Sequence, residues 1–257
     1  MCIRDRSTPS TPSNECVIAT DSSSEGVAII TANSNNQITG ISSALLNATF
    51  TSAGDSTFFN INSDTLQLRE VLYKNGSNWA RSVQTIAFQS PDFPGAMFQS
   101  VTTTTPTYNS GKISSLRSVQ ISGAKVGNVF TPFGPAITSD YAFTYNADGN
   151  ITRVSVTEDG STTNYNYTYA TNTVSKANVF LFENALSAST PSNFLPIVLG
   201  YFVPFNKMIT KMEHPDGSLT FSNVTTDSKN NVSRYTMTGT GDEEENSSAV
   251  KTTYVCK

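Results

Sequence analysis

One histidine, three cysteines and twenty acidic side chains are what this 257-residue chain offers for reaction chemistry. His214 stands directly before Pro215-Asp216-Gly217, which spells a turn. A lone histidine there is a solvated surface residue far more often than a base or a ligand. Asp242-Glu243-Glu244-Glu245 gathers enough charge to attract a hard cation, but it lacks the spaced oxygen ligands and the glycine of a dedicated calcium loop. It reads as a solvated acidic turn. No Gly-x-Ser-x-Gly elbow, phosphate-cradling loop or His/Cys metal spacing occurs, so no catalytic residue, metal or cofactor is expected. Glycoside hydrolysis needs only a carboxylate pair with no rule of sequence spacing, and a carbohydrate-active hydrolase therefore stays as the alternative reading.

Binding has a better candidate. Trp79 is the only tryptophan, and it lies in Lys74–Arg81 (KNGSNWAR), beside a turn rather than inside an alternating run. An indole flanked by Asn78 and Arg81 suits stacking on a sugar ring or anchoring a protein contact. The competing reading has it capping one end of the hydrophobic core.

Of the cysteines, Cys2 falls in Met1–Arg6 (MCIRDR), which resembles translated adapter sequence and has no part in the fold reasoning. Cys16 and Cys256 then flank the folded chain. An exported compartment would allow a disulfide between them, and domain ends often lie close together. Two buried free thiols are the other possibility.

Composition sets the scaffold for these groups. Only 14% of residues are charged and the net charge is −4, with Ser, Thr and Asn filling the gap. That balance favours β structure with a polar, uncharged surface and argues against nucleic acid, which needs a basic footprint. No apolar run reaches the ~18 residues that span a bilayer as a helix.

The elements that must position the candidate residues are hairpins. Tyr141–Tyr169 (YAFTYNADGNITRVSVTEDGSTTNYNYTY) holds three alternating runs separated by Asp148-Gly149 and Asp159-Gly160, a strong hairpin signal. Two-residue turns at both places set Tyr145 against Thr152, Phe143 against Val154 and Tyr141 against Val156. They also set Val156 against Thr163, Val154 against Tyr165 and Thr152 against Tyr167. All of these share one face, while Ala142, Thr144, Arg153, Ser155, Asn164, Asn166 and Thr168 share the other.

Further strands are expected at Val27–Ala32, Ile38–Ile41 (Ile30 against Ile41 across an Asn35-Asn36 turn), Leu45–Phe50, Thr57–Ile61, Leu66–Tyr73 and Val83–Phe88. Others are expected at Lys112–Ile121, Val126–Phe130, Lys207–Glu213, Ser218–Thr226, Asn231–Thr238 and Val250–Cys256. Ser90–Gly95 is a proline-broken loop. Val179, Phe182 and Leu186 have helical spacing in Ala177–Ser189, although Asn178-Val179-Phe180 could also finish a strand. Similar spelling recurs at 32–41, 145–154 and 226–235, without the fixed period of a solenoid.

On the residues 145–169 the chain resembles a YD-repeat (RHS-type) hairpin, with Asn146 standing where that pattern has Asp. Over roughly 16–257 it resembles uncharacterised lipoprotein-like proteins of Bacteroidota that carry a domain of unknown function. The matching features are Cys16 after a tether, the 145–169 unit, Leu199-Gly200-Tyr201 and the hairpin at 208–238. The resemblance implies export, a lipid-anchored ancestor and no known activity.

The expectation is therefore an adapter-like and Ser/Thr/Pro-tether segment over 1–15, followed by one all-β domain over 16–257. It should be a large antiparallel sheet curled into an open or partial barrel, with a short helical insertion near 178–203. Its expected role is an exported, non-catalytic binding or structural module at the cell surface or in the periplasm. Expected partners are a glycan, another polar polymer or a surface protein, with a membrane met only through a lost N-terminal lipid anchor.

Overall fold

The computed structural model describes residues 16–23, 26–32, 38–43, 47–62, 66–89, 96–174, 179–187, 189–191, 194–199, 201–240 and 246–256. The tether, the Asn35-Asn36 turn, the Ser90–Gly95 loop and the acidic turn Asp242-Glu243-Glu244-Glu245 lie outside them.

The first strands are β1 (Cys16–Ser23), β2 (Gly26–Ala32), β3 (Ile38–Ser42), β4 (Asn47–Ala53), β5 (Ser56–Asn62) and β6 (Leu66–Asn75). They are followed by β7 (Asn78–Gln89), β8 (Ala96–Asn109), β9 (Lys112–Val126), β10 (Val129–Pro132), β11 (Ile137–Tyr145), β12 (Ile151–Glu158) and β13 (Ser161–Thr173). Two short helices, α1 (Val179–Leu186) and α2 (Phe194–Val198), precede β14 (Lys207–His214), β15 (Gly217–Thr226), β16 (Val232–Thr240) and β17 (Asn246–Cys256). The helical insertion thus lies where the spacing of Val179, Phe182 and Leu186 placed it.

Apart from β10 and β11, which both pair with β9, each strand pairs antiparallel with its neighbours in sequence, and β1 pairs with both β2 and β17. That last pairing corrects the expectation of an open or partial barrel, because the sheet closes. Closure leaves no long row of unpaired N–H and C=O groups at an edge. β10 and β11 follow one another along β9, against Gly123–Val126 and Ser115–Gln120, so the 17 strands fill 16 positions in the ring. Gly127-Asn128 is a turn between β9 and β10, and the single strand expected over Val126–Phe130 is therefore two. Strand β8 has no apolar alternation across Thr102–Thr105 and is absent from the strands that the sequence pattern suggests. Its ladder with β9 supplies what its composition does not.

The central meander shows how the walls acquire their faces. Phe143 opposes Val154 and Tyr141 opposes Val156, as do Val154 and Tyr165, and Val156 and Thr163. Asp159 and Gly160 both have positive φ, 49° and 78°, the backbone of a two-residue type I′ turn. The other turn is longer than the Asp-Gly pair suggested. Asn146 N–H donates to Asn150 O, and Asn150 N–H donates to the Asn146 side-chain carbonyl at 3.0 Å. The loop spans 146–150, and a bulge between Thr144 and Tyr145 pairs Tyr145 with Ile151 instead of Thr152. Ile151 therefore takes the buried position, while Thr152 donates to Thr144 O. The β12–β13 ladder ends at Arg153 against Asn166, so the expected Thr152–Tyr167 pair is absent, and Tyr167 opposes Met212 on β14.

Alternation carries the same division round the ring. Ile30, Ile41, Phe50, Phe59, Leu72, Leu116, Phe143, Val154, Met212, Phe221, Tyr235 and Val250 are buried inside. Over β1 and β11–β17 the outer face carries hydroxyls and amides that bond one another across strands, whereas Val27 and Ile29 on β2 and Phe58, Val71 and Val83 on β5–β7 face outward. Thr168 pairs with Thr210, Ser155 with Asn164, Thr157 with Thr162, Ser218 with Thr240, and Thr20 with Thr253.

The helical insertion closes one end of the ring. Leu181, Phe182, Ala185, Leu186, Leu195, Ile197, Phe202 and Phe205 are all buried with the wall residues. Phe182 meets Phe205 edge-on at 4.9 Å, and Phe202 lies 5.3 Å from Phe143. The wall also binds the insertion through polar groups. Tyr167 OH bonds Ser189, Leu195 N–H donates to the Glu70 carboxylate, and Ile151 N–H donates to Pro204 O.

Tyrosines fasten strands near this plugged end. Tyr108 OH donates to Trp79 O, Tyr145 OH to Ile113 O, Tyr169 OH to Ile151 O and Tyr254 OH to Val232 O. Burial pushes the Tyr145, Tyr169 and Tyr254 phenols well above their ordinary range, so each remains a protonated donor.

Candidate binding surface

The trio singled out around the tryptophan does not form a site. Trp79 is 1% exposed and packs in the core, with its Nε1 lacking a hydrogen-bond partner. Asn78 and Arg81 are exposed, and the Arg81 guanidinium sits 4.5 Å over the Tyr73 ring. A register shift between Tyr73 and Lys74 separates them: Tyr73 opposes Arg81, while Lys74 opposes Trp79. A bulge re-aims the side chain next to it, and here it sends the indole inward while Arg81 stays outside. The structure thus returns Trp79 to the core and removes it, with Asn78 and Arg81, as a joint ligand contact.

His214 ends β14 against Gly217, beside the turn to β15, where its Nδ1 accepts Asp216 N–H at 3.3 Å and its ring lies 5.7 Å from Tyr165. Those contacts hold the ring against the turn. Among the described residues no group of three or more His, Cys, Asp or Glu side chains could hold a metal ion.

The inner wall of β6–β11 is different from the rest of the lumen, and sequence reading missed it. Near the plug it is core, with Leu72, Ile113 and Leu116 buried. The next row crosses Ser82, Thr104, Ser118 and Ser139, each opposed to the next through successive ladders. All are buried, and Ser82 Oγ and Thr104 Oγ1 lack hydrogen-bond partners. Beyond lie Gln84, Thr102 and Gln120, then Ser100 and Ser122. Gln120 Nε2 donates to Ser122 Oγ, and Ser122 Oγ donates to Ser100 Oγ, each at 3.3 Å.

The wall ends in a lip of aromatic rings. Phe88 and Phe98 are opposed and stack at 5.5 Å with planes 22° apart, and Phe133 lies 5.8 Å from Phe98. Phe88 is 49% exposed, Phe133 64% and Ile137 46%. The lip exists because β8 and β9, at 14 and 15 residues, are the longest strands of the sheet. It stands at the end of the ring opposite the helical insertion. A row of hydroxyls and an amide below exposed rings offers both hydrogen bonds and a flat apolar face. The signal in sequence is the alternation Phe98, Ser100, Thr102, Thr104, whose polar members would ordinarily point outward.

No protein-family profile matches the chain, and no curated protein does. Among solved structures it is similar to a porin-like protein from Bacteroides vulgatus ATCC 8482, at 11% identity with a TM-score of 0.60. The match covers 93% of this chain and 99% of that one, so the likeness in fold extends over nearly the whole barrel.

Proposed function

We propose that this chain is an exported, non-catalytic binding module whose barrel stands in water, taking a glycan or another polar polymer at its open lip. The observation that carries the reading is the polarity of the two faces. A barrel that spans a membrane has an outward apolar band about 25 Å tall and a polar interior. Here the interior is packed with Phe, Leu, Ile and Tyr and plugged by apolar helices, and is polar along β6–β11, while the outer wall of β11–β17 is Thr, Ser and Asn with Asp140, Arg153, Lys211, Glu213 and Arg234, and that of β2 and β5–β7 carries Val27, Ile29, Phe58, Val71 and Val83. A charge facing lipid at mid-membrane costs about 2–4 kcal/mol for Arg or Lys. The wall residues are also committed to one another through cross-strand hydroxyl bonds. Export, with a place in the periplasm or at the outer-membrane surface, is supported by the lipoprotein-like resemblance and by the fold shared with a porin-like protein.

For the ligand, the lip offers what a sugar ring requires. Its rings can cover the C–H face while Ser100, Ser122 and Gln120 reach the hydroxyls. Full-length protein on a glycan array tests this. One glycan class should bind, the Phe88→Ser/Phe98→Ser variant should lose at least about tenfold in affinity, equivalent to ~1.4 kcal/mol, and no product of hydrolysis should appear. Binding that ignores the lip substitutions, or turnover of the bound glycan, would contradict the proposal.

A further inference from the structure

The ring is joined only where the two ends of the chain meet, at the pairing of β1 with β17. That ladder is divided by a bulge between Ile18 and Thr20. On one side it runs from Thr20 against Thr253 to Ser22 against Lys251, continued by β1 against β2. On the other side only Cys16 against Cys256, Val17 against Val255 and Ile18 against Tyr254 remain. Terminal strands fray first, and separation here would expose two sheet edges at once. The outermost opposed pair of this weak stretch is the pair of cysteines.

We propose that Cys16 and Cys256 form a disulfide that closes the barrel covalently at its seam. Directly opposed positions in an antiparallel pair have Cα atoms about 4.5–5.5 Å apart, and a disulfide forms with Cα atoms about 4.4–6.8 Å apart, so the register of Cys16 against Cys256 meets the backbone requirement for a bridge. The oxidant is a disulfide-donor protein of the exported compartment. One cysteine thiolate attacks the donor's S–S bond to give a mixed disulfide. The second thiolate then displaces the donor sulfur. Cys16 and Cys256 together lose two protons and two electrons, and the donor leaves as its dithiol. The clasp rests on the exported reading for its oxidant but is independent of any glycan.

Full-length protein made in an oxidising compartment, alkylated without reduction and digested, decides the matter. The expected result is a linked peptide pair containing Cys16 and Cys256, lighter than the reduced pair by two hydrogens. Reductant should lower the Tm of the wild type to that of a Cys16→Ser/Cys256→Ser variant, whose own Tm should not respond to reductant. Reduced wild type gives the same comparison if that variant does not fold. Both thiols found alkylated in the unreduced protein, a linkage to Cys2 instead, or a Tm indifferent to reductant would overturn the clasp. Glycan binding that persists after reduction would separate its failure from that of the binding site.

Discussion

The side-chain carbonyl of Asn150, fully buried, accepts the backbone N–H of Asn206 at 2.7 Å. The same oxygen accepts the N–H of Lys207 at 3.0 Å, and Asn206 in turn donates from its amide to Asp148 O. One asparagine thus ties the turn between β11 and β12 to the point where the helical insertion re-enters the sheet. Its twin, Asn231, sits in an identically bonded loop: Asp227 N–H donates to Asn231 O, and Asn231 N–H to the Asp227 carboxylate. No insertion docks there, and Asn231 Oδ1 has no partner.

Asn150→Ala should therefore destabilise the protein by roughly 2–3 kcal/mol, since it strands buried backbone donors. Asn231→Ala should cost less. Urea unfolding of the two variants checks this, and equal losses would mean that the insertion is not held through Asn150.

The register of the meander gives a second contrast. Phe143 is buried against Phe202, whereas Thr144 faces outward. Phe143→Ala should cost about 3–5 kcal/mol, and Thr144→Ala should be nearly silent. Similar effects from both would reverse the assignment of inner and outer faces.

Most of this meander is legible in the sequence because its information is local. Asp159-Gly160 fixes a turn by backbone chemistry, and alternation then dictates the faces. The turn at 146–150 departs from the expected two residues because the side chains of Asn146 and Asn150, not the Asp-Gly pair, define it. The recurring spelling at 226–232 carries that signal. Closure of the ring is not legible, since the pairing of Cys16–Ser23 with Asn246–Cys256 joins the two ends of the chain and leaves no local trace. The lip is hidden for a related reason. A run such as Thr102–Thr105 shows no apolar period, so nothing in it says which hydroxyls face inward. The inward turn of Trp79 depends on a one-residue bulge that its neighbours do not announce.

At the seam, Asp21 pairs with Thr252, whose hydroxyl donates to its carboxylate at 2.7 Å. Burial raises the Asp21 carboxyl above its ordinary value of 3.8, with the Thr252 bond opposing. A folded pKa above the unfolded one means that folding favours the protonated acid. The associated stability is fully present below the unfolded pKa and is lost as pH rises through the folded pKa. Asp21→Asn should accordingly raise stability at neutral pH relative to wild type, and the advantage should shrink toward acid, below the ordinary range. Thermal unfolding across that pH range checks the sign. A variant less stable at neutral pH would show that the ionised carboxylate is an asset to the seam.

The polarity of the wall can be tested directly by the solution state of residues 16–257 made without a lipid anchor and without detergent. A barrel whose outer wall carries hydroxyls and charges over β11–β17 and whose helical plug is apolar should be a monodisperse, β-rich species by size exclusion with light scattering and circular dichroism. It should stay in the aqueous fraction when mixed with vesicles and leave planar bilayers non-conducting. Aggregation that only detergent reverses, with insertion into vesicles and conductance, would contradict a water-facing barrel and put a membrane around it.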